Sequence, residues 1–570
     1  MHDTEHFDDK PWLRHYDPEV PASLNYDCVP VFASLDQAAR EHADWPAIVF
    51  RNWKIRYGAL QERAEIMAAN LRDLGLAPGD RVAVMLPNLP QTIISFWAVL
   101  KAGGVLVMTN PLYKEKELLH QINDAETRIM IVLDHLWPRI EALRDRLCVR
   151  RYVVTRISDC LGFPLDLLYR FKARRDGLNQ AVPFDAAHVL PWKELTRGGK
   201  RFSIATLRPR EDLAVLQYTG GTTGVPKGVM LSHFNLSANV QQCRAMLHAL
   251  GVSEQQEVML GLLPYFHVYG LTVCLAFATS FAARLVPIPR YAPVELLRTI
   301  EKFRPTIFPG APSVYLSLMQ QKNIGDFDLT SIRYCVSGSA PMPPEGLKRF
   351  QELTGAEIVE GYGLTEASPV THLNPLKGER KIGSIGLPFP DTEARIVDME
   401  LGTIPLGPGK VGELILKGPQ VMGGYWNRPD ETAGTLRNGW LYTGDIAVMD
   451  EQGYFTIVDR KKDMILCGGY NVYPREIDEV LGEHPKILEA VAVGVPHRSR
   501  GEVIKAFVVV KPGETLDKAG VLAHCRSKLA GYKVPKLVEF RESLPKSIVG
   551  KILRRQLRDE EVKHIAARKK

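Results

Sequence analysis

The sequence predicts an α/β fold, with a large, multi-sheet amino-terminal domain followed by a small α+β carboxyl-terminal domain. Three observations carry the prediction. At 570 residues the chain is too long for one ordinary core. Over most of its length short β-rich runs alternate with helix-period segments, as in strand-helix-strand units with parallel strands. At Val458 this pattern gives way to the charged string Asp459-Arg460-Lys461-Lys462-Asp463, and a shorter region of different character follows.

Taken in order, residues 47–50, 81–85 and 105–108 read as strands, with helices over 57–74 and 89–101 between them. Further strands are expected at 128–132, 213–217, 306–309 and 333–337. The apolar stretch 271–283 is stopped by Arg284, short of the roughly 20 residues needed to cross a bilayer, and reads as a buried element. Beyond the charged string come a helix over 474–481, strands at 489–493 and 504–510, a helix over 516–529 and a strand at 537–540. The expected division is therefore a large domain of residues 1–458, a hinge at 459–463 and a small domain of residues 464–570.

Composition narrows the function. The formal net charge of +7 is modest and its lysines and arginines are interspersed with acids, so no nucleic-acid partner is expected. The eight cysteines are scattered, without a C-x-x-C pair, which disfavours structural zinc and a disulfide framework. The amino terminus is polar and acidic, unlike a secretion signal, and a cytoplasmic protein is expected.

One segment is built to hold phosphate. Tyr218-Thr219-Gly220-Gly221-Thr222-Thr223-Gly224-Val225-Pro226-Lys227-Gly228 combines glycines that open the backbone N–H groups, threonine hydroxyls and a lysine. Pro226 before the lysine and Gly228 after it exclude the Gly-Lys-Ser/Thr helix start of a Walker loop. A glycine-rich surface turn remains the commoner meaning of such a stretch alone. Four further segments hold residues of chemical interest: Ser337-Gly338-Ser339-Ala340-Pro341, Glu360-Gly361-Tyr362-Gly363-Leu364-Thr365-Glu366, Trp440-Leu441-Tyr442-Thr443-Gly444-Asp445, and Leu544-Pro545-Lys546-Ser547-Ile548-Val549-Gly550-Lys551. A fifth, Leu263-Pro264-Tyr265-Phe266-His267-Val268-Tyr269-Gly270, sets one histidine in an apolar aromatic run.

In this order the motifs resemble the adenylate-forming acyl-CoA synthetases, most closely the bacterial long-chain fatty acid CoA ligases, over about residues 30 to 558. The resemblance implies ATP, Mg²⁺ and coenzyme A as cofactors and cosubstrates, with a fatty acid as partner. It implies that Thr219, Gly220, Gly221, Thr222, Thr223, Gly224 and Lys227 handle the departing pyrophosphate. Gly338, Ser339 and Ala340 would line adenine on one side, with Glu360, Gly361 and Tyr362 at the other and Tyr362 stacking on the base. Thr365 would meet the α-phosphate, and Glu366 would hold the metal. Asp445 would accept from the ribose hydroxyls, with Arg460 assisting. His267 would sit beside the reacting carboxylate, where amino-acid-activating relatives carry an aspartate for the substrate ammonium. Lys551 would serve adenylation.

The implied chemistry is acyl-AMP formation with release of pyrophosphate, then thioester formation with release of AMP. The resemblance also implies a mobile small domain that swings about Lys462, bringing Gly468 and Gly469 to the pantetheine arm. Leu271 stands where better described long-chain relatives can carry a gating tryptophan, so chain-length preference does not transfer. Rival activities are a medium-chain or aromatic acid CoA ligase and a fatty acyl-AMP ligase. A homodimer is admitted and not decided.

Residues 163–177 read as a short helix, with Phe163, Leu167, Leu168 and Phe171 on one face and Arg170, Lys172, Arg174 and Arg175 as cations. Two outcomes stay open here: packing on its own domain, or peripheral association with the inner face of the membrane.

Overall fold

The computed structural model describes residues 10–177, 180–185, 187–198, 206–219, 225–248, 256–340, 342–467, 470–497, 501–547 and 551–567. Two compact units emerge: Leu13–Glu393 with Lys417–Leu441, and Met1–Trp12 with Ala394–Leu416 and Tyr442–Lys570.

The larger unit is built on two sheets. The seven-stranded one runs Val189–Pro191, Arg151–Thr155, Thr127–Leu133, Arg81–Met85, Val105–Met108, Leu213–Thr219, Lys227–Ser232. Its inner strands are parallel and apolar on both faces because helices cover each side; Val82, Ala83, Val84 and Met85 are all fully buried. The last pair is an antiparallel hairpin whose register sets Thr219 opposite Lys227. The nine-stranded sheet places Val258–Gly261, Ile307–Gly310, Tyr334–Ser337 and Glu357–Gly363 side by side as parallel neighbours. It continues through antiparallel Val370–Leu373. Leu271 to Ala283 is buried as expected, its first part forming the π-helical segment Gly270–Phe277.

Glu357–Gly363 carries the strand into the Glu360-to-Glu366 motif. The strand runs on because Gly361, Tyr362 and Gly363 pair with Leu373, His372 and Val370. Gly363 is required there, since a Cβ would fall 2.1 Å from the Pro369 carbonyl oxygen.

In the smaller unit Phe455–Arg460 pairs antiparallel with residues 445–449. Asp459 and Arg460, read in the sequence as linker, are thus the last two residues of a strand. After them come Ile465–Cys467, Tyr470–Val472, the long hairpin Ile487–His497 with Gly501–Val510, and Leu537–Phe540 in one sheet. Helices Pro474–Gly482 and Lys518–Lys528 bury Ile477, Leu481, Val521 and Cys525 in a core shared with the sheet residues Ile504 and Val508.

Helix Leu165–Arg175 stands on the larger unit with its apolar residues outward. Phe163, Leu167, Leu168 and Phe171 are 80%, 53%, 60% and 75% exposed, so they do not pack on their own domain. Asn52 moors its start, donating to the Gly162 carbonyl at 2.8 Å and accepting from the Gly162 N–H at 3.0 Å. Among the described residues no helix is long and apolar enough to cross a membrane.

Candidate active site

Strand Leu213–Thr219 ends at the glycine-rich segment and Lys227–Ser232 leaves it, so a strand, not a helix, follows the loop. Gly220, Gly221, Thr222, Thr223 and Gly224 lie outside the described residues. Gly228 packs under the Tyr218 ring, whose hydroxyl donates to Asp124 at 2.6 Å. The Lys227 side chain is mostly buried, pairs with Glu431 and lies 5.0 Å from the Tyr425 ring centroid. Desolvation lowers its pKa, and the nearby Glu366 carboxylate opposes that shift.

Glu366 sits in the single turn Thr365–Ala367, directly beyond the Gly363 crossing. Its Oε1 accepts from the Tyr425 hydroxyl at 2.8 Å, and its backbone carbonyl accepts from the Met422 N–H at 2.8 Å. Lys227, Glu366, Tyr425 and Glu431 therefore form one polar cluster in the larger unit. Tyr425 and Glu431 were missed in the sequence; the only signal was the aromatic-glycine run Gly423-Gly424-Tyr425-Trp426.

Tyr362 is half-buried, with its ring edge-on to His372 at a centroid distance of 5.8 Å. The Glu360 carboxylate is occupied with backbone, accepting from the Met342 N–H at 2.9 Å. Gly338 is buried, and its open side faces Tyr269, whose ring would stand 3.0 Å from an added Cβ. Ser339 and Ala340 are exposed, with Ser339 at a left-handed φ of 74°. On the same sheet His267 follows strand Val258–Gly261; its Nδ1 accepts from the Tyr269 N–H at 3.3 Å. Burial pushes its pKa down to about 4, so the ring is neutral near pH 7.

The smaller unit assembles its own set. Cross-strand register places Arg460 opposite Asp445, and Arg460 Nε lies 3.1 Å from Asp445 Oδ1. Lys551 stands in a tight return where Ser547 donates its N–H to the Lys551 carbonyl at 2.7 Å and accepts the Lys551 N–H at 3.1 Å. Its ammonium feels Arg460, Asp445, Asp463 and Lys462; burial first, then Arg460, pushes its pKa down to about 7. Gly468 and Gly469 lie outside the described residues.

Within the larger unit a carboxylate tethered beside a lysine at the end of the hairpin, and within the smaller unit a desolvated lysine beside an Asp-Arg pair, each suit a charged phosphoryl-type group. Comparison with known proteins agrees. Family models for the AMP-binding enzyme and for its C-terminal domain match residues 35–426 and 476–551. The chain belongs to the AMP-binding enzyme family. This AMP-binding enzyme is 46% identical over 558 residues to a long-chain-fatty-acid–CoA ligase of Bacillus subtilis, covering 97% of the chain and 99% of that relative. Among solved structures it resembles an anthranilate CoA ligase, AuaEII, in complex with anthranoyl-AMP, with TM-score 0.83 and 28% identity over 95% of the chain and 99% of that one. ATP-bound MatB from Rhodopseudomonas palustris gives TM-score 0.78 and 30% identity over 94% and 99%. The α/β, adenylate-forming fold expected from the motif order is thereby borne out.

Proposed function

We propose that this AMP-binding enzyme is a long-chain fatty acid–CoA ligase. The fatty carboxylate attacks the α-phosphorus of ATP and pyrophosphate leaves; the CoA thiolate then attacks the acyl carbonyl and AMP leaves. The observation that carries this reading is end-to-end likeness to a long-chain-fatty-acid–CoA ligase, 46% identical over 97% of this chain.

The chain's own residues have definable work. In this reading Tyr362 offers its face to adenine, between Gly361 and the Gly338, Ser339 and Ala340 turn, and Asp445 accepts from the ribose with Arg460 steadying it. Thr219 and Lys227 hold the pyrophosphate side, Lys227 exchanging Glu431 for phosphate oxygen. Lys551 gives its charge to the α-phosphate as negative charge builds there. His267, neutral, borders the acid without offering a partner to an ammonium, which favours a plain carboxylic acid.

Glu366 suits Mg²⁺, since its carboxylate offers hard oxygen donors and is fixed by Tyr425, while Thr365 serves the α-phosphate. When bound, the ion would neutralise phosphate charge and leave no proton to be managed.

Asp459 to Asp463 is the proposed hinge with Lys462 as pivot, dividing residues 1–458 from 464–570. The part beyond it would carry Lys551 for the first half-reaction and Gly468 and Gly469 for the second. Lys551→Ala should abolish acyl-AMP formation and spare thioester formation from preformed acyl-AMP; equal loss of both rejects the division of labour. CoA-dependent AMP release across acids of increasing length tests the substrate assignment, and a maximum at short or aromatic acids rejects it.

Peripheral contact with the inner face of the membrane completes the reading. The outward Phe163, Leu167, Leu168 and Phe171 lie on a cationic helix. Beside it a groove of about 360 Å³ is lined by Leu165, Arg51, Arg290, Arg298 and Lys302. Flotation with phosphatidylglycerol vesicles should fall on Leu167→Asp; unchanged binding rejects the contact.

A further inference from the structure

One buried network ties the two sides of the proposed pivot together. Asp459, the next-to-last residue of strand Phe455–Arg460 and three residues before Lys462, is 3% exposed. Its Oδ2 accepts the Arg475 N–H at 2.7 Å, and its Oδ1 lies 3.7 Å from Arg554 Nη1. Arg475 also donates its Nη1 to the Ile457 carbonyl. Arg475 begins helix Pro474–Gly482, and Arg554 follows Lys551 by three residues, so both belong to the chain beyond Lys462. Arg554 itself is held there by Asp478, with which it makes a close ion pair, while Asp478 Oδ1 accepts the Ala492 N–H at 2.6 Å. Arg554 is thus anchored to its own side by Asp478 and reaches across the pivot to Asp459.

We propose that Asp459 and Arg554 form a conformational latch: positioning residues that hold Lys551 in its arrangement beside Asp445 and Arg460, and that must part before the second half-reaction. The inference rests on the alternation about Lys462 given above. A rotation there would carry Arg475 and Arg554 away from Asp459 but leave Arg554 with Asp478. Three carboxylates face this guanidinium, Asp459 before the pivot and Asp478 and, at 4.0 Å, Asp463 beyond it: removal of Asp459 opens the latch, and removal of Asp478 only loosens the moving part. Burial raises the Asp459 pKa and Arg554 opposes this, as expected of a carboxylate that depends on its counter-ion.

The test measures both half-reactions separately in the full-length enzyme: acyl-AMP formation from hexadecanoate and ATP, and thioester formation from preformed hexadecanoyl-AMP and CoA. Asp459→Asn keeps the shape and the acceptor for Arg475 while removing the charge. Its ratio of adenylation to thioester rate should fall by roughly tenfold, equivalent to about 1.4 kcal/mol. Arg554→Lys should move the ratio in the same direction, and Asp478→Asn should leave it unchanged. A single common factor on both rates in Asp459→Asn and Arg554→Lys overturns the latch, as does an equal shift of the ratio in Asp478→Asn. Lys551→Ala separates the two failures. If it is selective and Asp459→Asn is not, the latch alone is wrong; if it too slows both steps equally, the alternation fails and the latch with it.

Discussion

Lys551 should titrate near pH 7 in the free enzyme, far from an ordinary lysine. Burial is the main cause, Arg460 adds to it, and Asp445 and Asp463 offset only part. A fall from 10.5 to about 7 makes roughly three-quarters of the side chain a free amine at pH 7.5, against about one in a thousand for an unperturbed lysine. The assay is competitive labelling: a trace of amine-reactive acylating reagent at a series of pH values, with the peptide containing Lys551 quantified against an exposed lysine peptide. A midpoint near 7 is expected. Arg460→Gln removes a neighbouring cation and should raise the midpoint; Asp445→Asn removes an anion and should lower it. ATP with Mg²⁺ should raise it, because phosphate oxygens favour the ammonium. For the same reason kcat/KM for ATP in adenylation should fall as pH rises through 7, while kcat, which reports the ATP complex, falls at higher pH. A midpoint near 10 that neither substitution moves would refute the reasoning.

Three other outcomes follow from the geometry. Tyr425→Phe deletes the 2.8 Å hydrogen bond to Glu366, and a bond to a charged group is worth about 2 kcal/mol, so the Mg²⁺ concentration for half-maximal adenylation should rise by up to about thirtyfold; an unchanged Mg²⁺ titration denies Glu366 the metal role. Buried His372 and His233 have pKa values pushed down by desolvation to about 3 and about 4, so below pH 6.5 the unfolded chain binds more protons and stability falls with pH. The loss should be about 1.4 kcal/mol per pH unit for each ring until its folded pKa is reached, read as a urea midpoint at pH 8, 6 and 5 that His372→Gln makes less pH-dependent. Gly363→Ala drives a methyl into the Pro369 carbonyl and should cost about 3 kcal/mol and displace the Thr365–Ala367 turn, seen as a lower melting temperature together with lost adenylation.

Much of the fold was legible because its strands are buried on both faces. Residues 81–85 and 105–108 match at both ends, since a short valine-bearing apolar run leaves little choice; residues 537–540 match too, although Leu537 and Phe540 are half-exposed. Glu360 to Gly363 was not legible as strand, because two glycines argue for a loop and only pairing with Val370–Leu373 overrules them. The outward face of Leu165–Arg175 was likewise undecidable, since the same amphipathic pattern serves a core or a bilayer. Asp445 and Lys551 were singled out by motif order alone; spacing says nothing of an aspartate and a lysine a hundred residues apart. Tyr425, Glu431 and Arg554 escaped, and Asp459 was read only as part of the hinge, because each matters through a partner distant in sequence: Glu366, Lys227, and one another across the pivot.

The two lysines read from the sequence are prepared for phosphate in opposite ways, which bears on which one the chemistry depends upon. Lys227 is already neutralised, in contact with Glu431 and in the field of Glu366, so an arriving phosphate exchanges one anionic partner for another and the net electrostatic gain is small. Lys551 shares its surroundings with Arg460 and Lys462, against the carboxylates of Asp463 and of Asp445, the latter already bonded to Arg460. An anion there relieves repulsion among three cations at once and returns the proton that burial has loosened. Interaction that appears only when negative charge arrives is what lowers a barrier, whereas interaction present beforehand is spent on binding. On this argument Lys227 should act mainly through KM and Lys551 through kcat, and it is the under-neutralised neighbourhood of Lys551, not the presence of the lysine, that distinguishes them.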